Sequence, residues 1–191
     1  EDNPYGELRF SGSDVPTIKS MDTDGIVVYC GTFSKILSPG MRVGFVCAPE
    51  TIAQKIVVAK QVEDVHTNIF FQLIAHRFMT EFDMDGHIES IRKLYKHKCK
   101  LMLDTLAEEL PDDIVWTKPK GGLFVWCTLP ERLPVDKFVR DAAAEKVFVV
   151  PGSAFQCDLS KPINAIRLNY STPSDEDIVK GIKILGQIAR N

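Results

Sequence analysis

The chain has no apolar run of about 18 residues, the length a helix needs to span a bilayer, and no charged-then-apolar pattern of a secretory leader. Its five cysteines, Cys30, Cys47, Cys99, Cys127 and Cys157, show no C-x-x-C spacing, and the odd count excludes a fully paired disulfide framework. They read as reduced thiols, several within apolar strand-like segments, which suits a cytoplasmic chain. The four histidines, His66, His76, His87 and His97, form no H-E-x-x-H pair, so no metal site is expected. Neither sign of charge dominates: the net charge of -3 argues against an extended nucleic-acid surface. Repeats and low-complexity linkers are also missing. What remains is a chain of 191 residues, 45% apolar and 26% charged, with enough material for one domain or two small ones.

The densest information lies between Ile26 and Phe45. Ile26-Val27-Val28-Tyr29-Cys30 is an apolar, β-branched run that reads as a buried strand. Gly31-Thr32-Phe33-Ser34-Lys35 follows, then Ser38-Pro39-Gly40 and Arg42-Val43-Gly44-Phe45. Thr32 and Ser34 alternate, so both hydroxyls can point to one side of an extended segment. A lysine lifted off a strand end beside hydroxyls and an arginine suits an amine nucleophile next to an anion site. Alone, each residue has an ordinary explanation: a solvated turn lysine, hydroxyls bonded to local backbone, turn punctuation at Pro39-Gly40.

Two segments near the ends of the chain change that weighting. Glu1-Asp2-Asn3-Pro4-Tyr5 places an acid and a phenol in a loop. Ala165-Ile166-Arg167-Leu168-Asn169-Tyr170 is an alternating strand with an arginine in it, whose fork could hold a carboxylate bidentately. Between them lie a Gly121-Gly122-Leu123-Phe124-Val125-Trp126 hairpin and a Pro151-Gly152-Ser153-Ala154-Phe155 turn, both readable as fold elements in which glycine allows close backbone and aromatics fill a core.

In this order the segments resemble those of fold-type I, class I/II aminotransferases that use pyridoxal 5'-phosphate (PLP), over essentially the whole chain. The resemblance implies an α/β fold and a set of roles. Lys35 would carry PLP as a Schiff base and shuttle the substrate proton. Asp2 would pair with the pyridine nitrogen and Tyr5 with the ring hydroxyl. Thr32, Ser34 and Arg42 would hold the phosphate, and Arg167 the substrate carboxylate. The substrates would be an amino acid and a 2-oxo acid, with 2-oxoglutarate the expected acceptor, and the parent enzyme a homodimer. The spacing of seven from Lys35 to Arg42, with Pro39 between, departs from the common pattern, which places the arginine one residue later. The variant resembles the aminoadipate/kynurenine-type and regulator-associated branch. The resemblance further implies a C-terminal portion, with the glycine-rich phosphate loop, the stacking aromatic and an asparagine at the ring hydroxyl lying upstream. Two other readings share these motifs: a PLP-binding sensor domain beneath a winged-helix DNA-binding domain, the one case that would bring in nucleic acid, and another fold-type I enzyme such as a β-lyase.

Residues 1–86 are expected to complete a large, mainly parallel sheet domain, with strands near 26–30 and 43–47 and helices over 50–62 and 69–81. Residues 87–191 are expected to form a small α/β domain. Its order would be helix 87–109, with Ile88, Ile91, Leu94, Tyr95, Leu101, Leu103 and Leu106 inward, strands 114–117 and 123–128, helix 135–145, strands 147–150 and 165–170, and helix 173–189. Thr172 as N-cap and Pro173 as first helical residue are the expected start of the last helix.

Overall fold

A computed structural model describes residues 1–158, 160 and 163–191 and divides the chain into two compact units, Glu1–Lys93 and Leu94–Asn191. In the first, β1 (Tyr29–Thr32) pairs antiparallel with β2 (Gly44–Cys47), opposing Gly31 to Phe45. Without a Cβ at residue 31 the Phe45 ring lies against it; a Cβ there would fall 2.3 Å from the tip of that ring, which would have to move aside. The mainly parallel sheet expected here is represented, among the described residues, by one parallel bridge, Asp2↔Cys30. The β1–β2 pair is antiparallel because residues 33–43 fold the chain straight back, closed by the Phe33 N–H on the Val43 carbonyl at 3.1 Å.

The strand expected over 26–30 begins only at Tyr29. Asp22 is the reason. Its carboxylate accepts from the Ile26 and Val27 N–H groups at 3.1 Å each, so these amides close a turn and cannot join a ladder, and Ile26 is 76% exposed. The Lys19 ammonium, at 2.8 Å, and these two amides hold the Asp22 carboxyl well below its ordinary value of 3.8. A group depressed in this way stabilises the fold fully above its unfolded pKa, and the contribution is lost as pH falls through the folded value. The turn is therefore expected to survive at pH 4 and to open only in stronger acid. An Asp22 carboxyl titration by NMR that centres on an ordinary carboxylate value would contradict this.

Helices α1 (Glu50–Glu63) and α2 (Ile69–Glu81) follow, the latter capped by Asn68 Oδ1, which accepts from the Phe70 and Phe71 N–H groups. The unit's small core joins Met41, Val43 and Ala75 to Phe33, Leu37 and Phe71. The apolar spacing of α2 is real, yet Ile69, Phe70, Leu73 and Ile74 are exposed. Helix α3 (Met84–Glu109) begins in this unit and runs into the second.

In the second unit β3 (Val115–Trp116), β4 (Phe124–Thr128), β5 (Val150–Pro151) and β6 (Ala165–Asn169) form one antiparallel sheet in the order β3-β4-β6-β5. With α4 (Val135–Ala144) and α5 (Asp175–Arg190), the expected sequence of elements holds. Alternation sorts β4 and β6. Val125, Cys127, Ile166 and Leu168 are buried on one face, while Phe124, Trp126 and Arg167 share the half-buried other. Burial pushes the Cys127 thiol up to about 12, so it is an inert core residue.

Three expectations for this unit are corrected. Leu94 is 50% exposed, and the inward stripe of α3 runs Tyr95, Cys99, Met102 and Leu106 at helical spacing. The strand expected over 147–150 is reduced to Val150–Pro151, because the Val147 N–H is taken by the Ala142 carbonyl at 2.8 Å to finish α4, with Lys146 left-handed at φ 64°. The N-cap of α5 is Ser174, two residues after Thr172. Its hydroxyl oxygen accepts from the Asp177 N–H at 3.1 Å and donates to the Asp177 carboxylate at 2.7 Å, while Lys98 takes the Pro173 carbonyl that an earlier start would have needed.

Candidate functional site

Lys35 leaves the end of β1 on the turn that carries Thr32 and Ser34. Thr32 Oγ1 lies 3.0 Å from Ser34 Oγ and accepts from the Ser34 N–H at 3.1 Å, so the two hydroxyls form one cluster, as their alternation predicts. The Lys35 ammonium is half-buried and sits 5.8 Å from the centre of the Tyr5 ring, within range of a cation–π contact. Tyr5 reaches it because residues 1–3 run beside β1: the Cys30 N–H donates to the Glu1 carbonyl at 2.8 Å and the Asn3 N–H to the Cys30 carbonyl at 3.0 Å. The same pairing sets the exposed Asp2 one strand over from Cys30.

Arg42 caps the short 3-10 turn Pro39–Met41 in the left-handed region, at φ 55° and ψ 40°. For a residue with a Cβ this conformation costs about 1 kcal/mol or more. Buried Met41 and Val43 pin the backbone on either side and turn the Arg42 side chain outward. There its Nη1 donates to the Pro39 carbonyl at 3.0 Å, which leaves further N–H groups on an exposed guanidinium.

His87 carries no motif in the sequence. Its Nε2–H donates to the Ile36 carbonyl at 2.8 Å, immediately after Lys35, while its ring packs edge-on to Phe78. Because a carbonyl can only accept, this bond places the proton on Nε2. The two residues are 51 positions apart, and no local pattern signals the contact.

In the second unit Arg167 stands on β6 opposite Trp126 and Val150. Its guanidinium carbon lies 3.9 Å from the Phe124 ring centre and 4.4 Å from that of Phe155. Among the described residues no group of three or more potential metal ligands is assembled. No described helix is long and apolar enough to cross a membrane.

The first unit thus brings the Lys35 amine to the Tyr5 phenol ring and clusters the Thr32 and Ser34 hydroxyls on the same turn, while the exposed Arg42 guanidinium, further along the chain, bonds the Pro39 carbonyl. This donor set suits a molecule with an aldehyde, a ring hydroxyl and a phosphate: the amine for the carbonyl carbon, the hydroxyls and guanidinium for phosphate oxygens.

Comparison with known proteins identifies a family and its relatives. The family model "Aminotransferase class I and II" matches residues 2–185. Aromatic-amino-acid aminotransferase 1 of Thermococcus litoralis is 45% identical over 98% of this chain, which covers 45% of that protein. The structure of alpha-aminoadipate aminotransferase from Thermus thermophilus, complexed with N-(5'-phosphopyridoxyl)-L-leucine, superposes with a TM-score of 0.93 at 36% identity, covering 99% of this chain and 49% of that one. The uncharacterized HTH-type transcriptional regulator YisV of Bacillus subtilis is 30% identical over the full chain and 39% of its own length. The chain spans about half the length, or less, of the relatives it matches.

Proposed function

Because the chain belongs to the class I and II aminotransferase family, we propose that it is the C-terminal portion of a PLP-dependent aminotransferase that moves an amino group from an amino acid to a 2-oxo acid, with 2-oxoglutarate as acceptor. The observation that carries this reading is the Lys35 amine held over the Tyr5 ring, on the turn that clusters the Thr32 and Ser34 hydroxyls. When bound, PLP would supply an electron sink for charge that develops at the substrate Cα.

The chain's own residues supply the rest. Lys35 Nζ is the amine that would hold the aldehyde carbon and, once freed, the base that takes and returns the proton at the substrate Cα. Asp2 would keep a proton on the pyridine nitrogen by opposite charge. Tyr5 would hydrogen-bond the ring hydroxyl, Thr32, Ser34 and Arg42 would bind the phosphate, and Arg167 would grip the substrate carboxylate. Residues 1–86 would belong to the large domain and 87–191 to the small one. A homodimeric, cytoplasmic parent completes the proposal.

The 191 residues alone are proposed to bind PLP weakly and not to transaminate. They correspond to less than half of the aromatic aminotransferase's length, and the apolar side chains of β2 and α2, including Phe45, Val46, Phe70 and Leu73, are exposed. The test in the full-length protein is the fate of 15N-labelled amino acid mixed with PLP and 2-oxoglutarate. Label is expected in glutamate; label that never leaves the donor overturns the reading. The likeness to an HTH-type regulator supports one second reading, a PLP-binding sensor domain. A full-length protein that retains DNA and transfers no label would establish it.

A further inference from the structure

The Gly-Gly-x-Phe-x-Trp hairpin and the Pro-Gly-x-x-Phe turn have no task in the chemistry above, yet both converge on Arg167. Phe124 comes from β4 and Phe155 from the 3-10 turn Gly152–Phe155, and each ring packs on the guanidinium, at 3.9 and 4.4 Å. Contacts at these distances lie well inside the cation–π range of about 6 Å. Trp126 braces Phe155 edge-on, with ring centres 5.9 Å apart. Gly152 lets the turn seat there: a Cβ would meet Trp126 Cη2 and the Ala165 carbonyl oxygen at 3.1 Å each. Among the described residues, no hydrogen bond or ion pair to a protein acceptor ties down the Arg167 guanidinium. The guanidinium thus packs on two rings that use none of its N–H donors.

We propose that Phe124 and Phe155 are positioning residues for Arg167: their rings hold the guanidinium plane so that its N–H fork meets a carboxylate already oriented. This rests on the reading of Arg167 as the carboxylate anchor. A long arginine side chain loses rotamer freedom when it grips a ligand, and a fork held in advance loses less. The aromatic faces also attract the cation without competing for its N–H donors, which a carboxylate neighbour would do.

The experiment is calorimetric binding of 3-phenylpropionate, which carries one carboxylate, and of its neutral amide, to the PLP-loaded full-length protein. Phe155→Leu and Phe124→Leu are each expected to weaken the acid about tenfold, which corresponds to about 1.4 kcal/mol, and to leave the amide unchanged. Phe155→Tyr keeps a ring and is expected to bind like the parent; it also remains informative if a leucine variant folds poorly. Equal weakening of acid and amide would overturn the proposal, because the rings would then be pocket walls. Wild-type binding of the acid by both leucine variants, with binding lost in Arg167→Gln, would overturn it while sparing Arg167 as the anchor. If Arg167→Gln itself binds the acid normally, the anchor reading fails and the proposal with it.

Discussion

Lys35→Ala in the full-length protein is expected to lower amino-group transfer by about 10³-fold or more, since a single positioned acid–base group contributes about 10²–10⁴-fold and Lys35 would also hold the cofactor. The fold should survive the change. Lys35 is half-buried, and the contact its ammonium makes is the 5.8 Å approach to the Tyr5 ring, worth about 0.5–1 kcal/mol. Thermal unfolding should therefore move little while transfer disappears. Lys35→Arg should be as inactive: it keeps the positive charge but cannot give up its proton near neutral pH. Transfer within tenfold of wild type in either variant would remove Lys35 from the chemistry.

Arg167→Ala is expected to weaken the amino acid and the 2-oxo acid together, because both present the same carboxylate. Breaking a hydrogen-bonded charge pair of this kind costs roughly 2–5 kcal/mol. Steady-state KM values for both substrates should rise, or kcat/KM fall, in parallel. A loss confined to one of the pair would assign this arginine to a side-chain contact instead. The effect should exceed that of removing either ring, since the phenylalanines orient a charge that Arg167 itself supplies.

Much of this arrangement is legible in the sequence because it is local. The alternation of Thr32 and Ser34 predicts a shared side, and their hydroxyls lie 3.0 Å apart. The 3.6-residue spacing predicts α2 over 69–81, and the helix occupies Ile69–Glu81. The same spacing could not say which apolar side chains would be covered: Phe70 and Leu73 fit it and are exposed. Where two signals overlap, a long-range contact decides. Thr172 and Ser174 are both acceptable caps, and Lys98, on another helix, takes the carbonyl that favours the second.

Contacts between distant residues leave no local trace. Asn164 stands outside any strand or helix, yet its Nδ2 donates to the Leu129, Pro130 and Leu133 carbonyls while its Oδ1 accepts from the Val135 N–H. One side chain thus shapes the loop after β4 and the start of α4. His87 on the Ile36 carbonyl is the same kind of contact beside Lys35. The aromatic packing of Arg167 is intermediate: the motifs that supply Phe124 and Phe155 are visible, but their meeting point is set by the β4–β6 register and by Gly152.

Covalent labelling reads the role of Lys35 without any assumption about substrate. The full-length protein is loaded with PLP, reduced with borohydride and digested, and the pyridoxyl group is located by peptide mass mapping. It should sit on Lys35 alone. A pyridoxyl group on Lys60, Lys118 or any other lysine, with Lys35 unmodified, would contradict the site proposed for this chain.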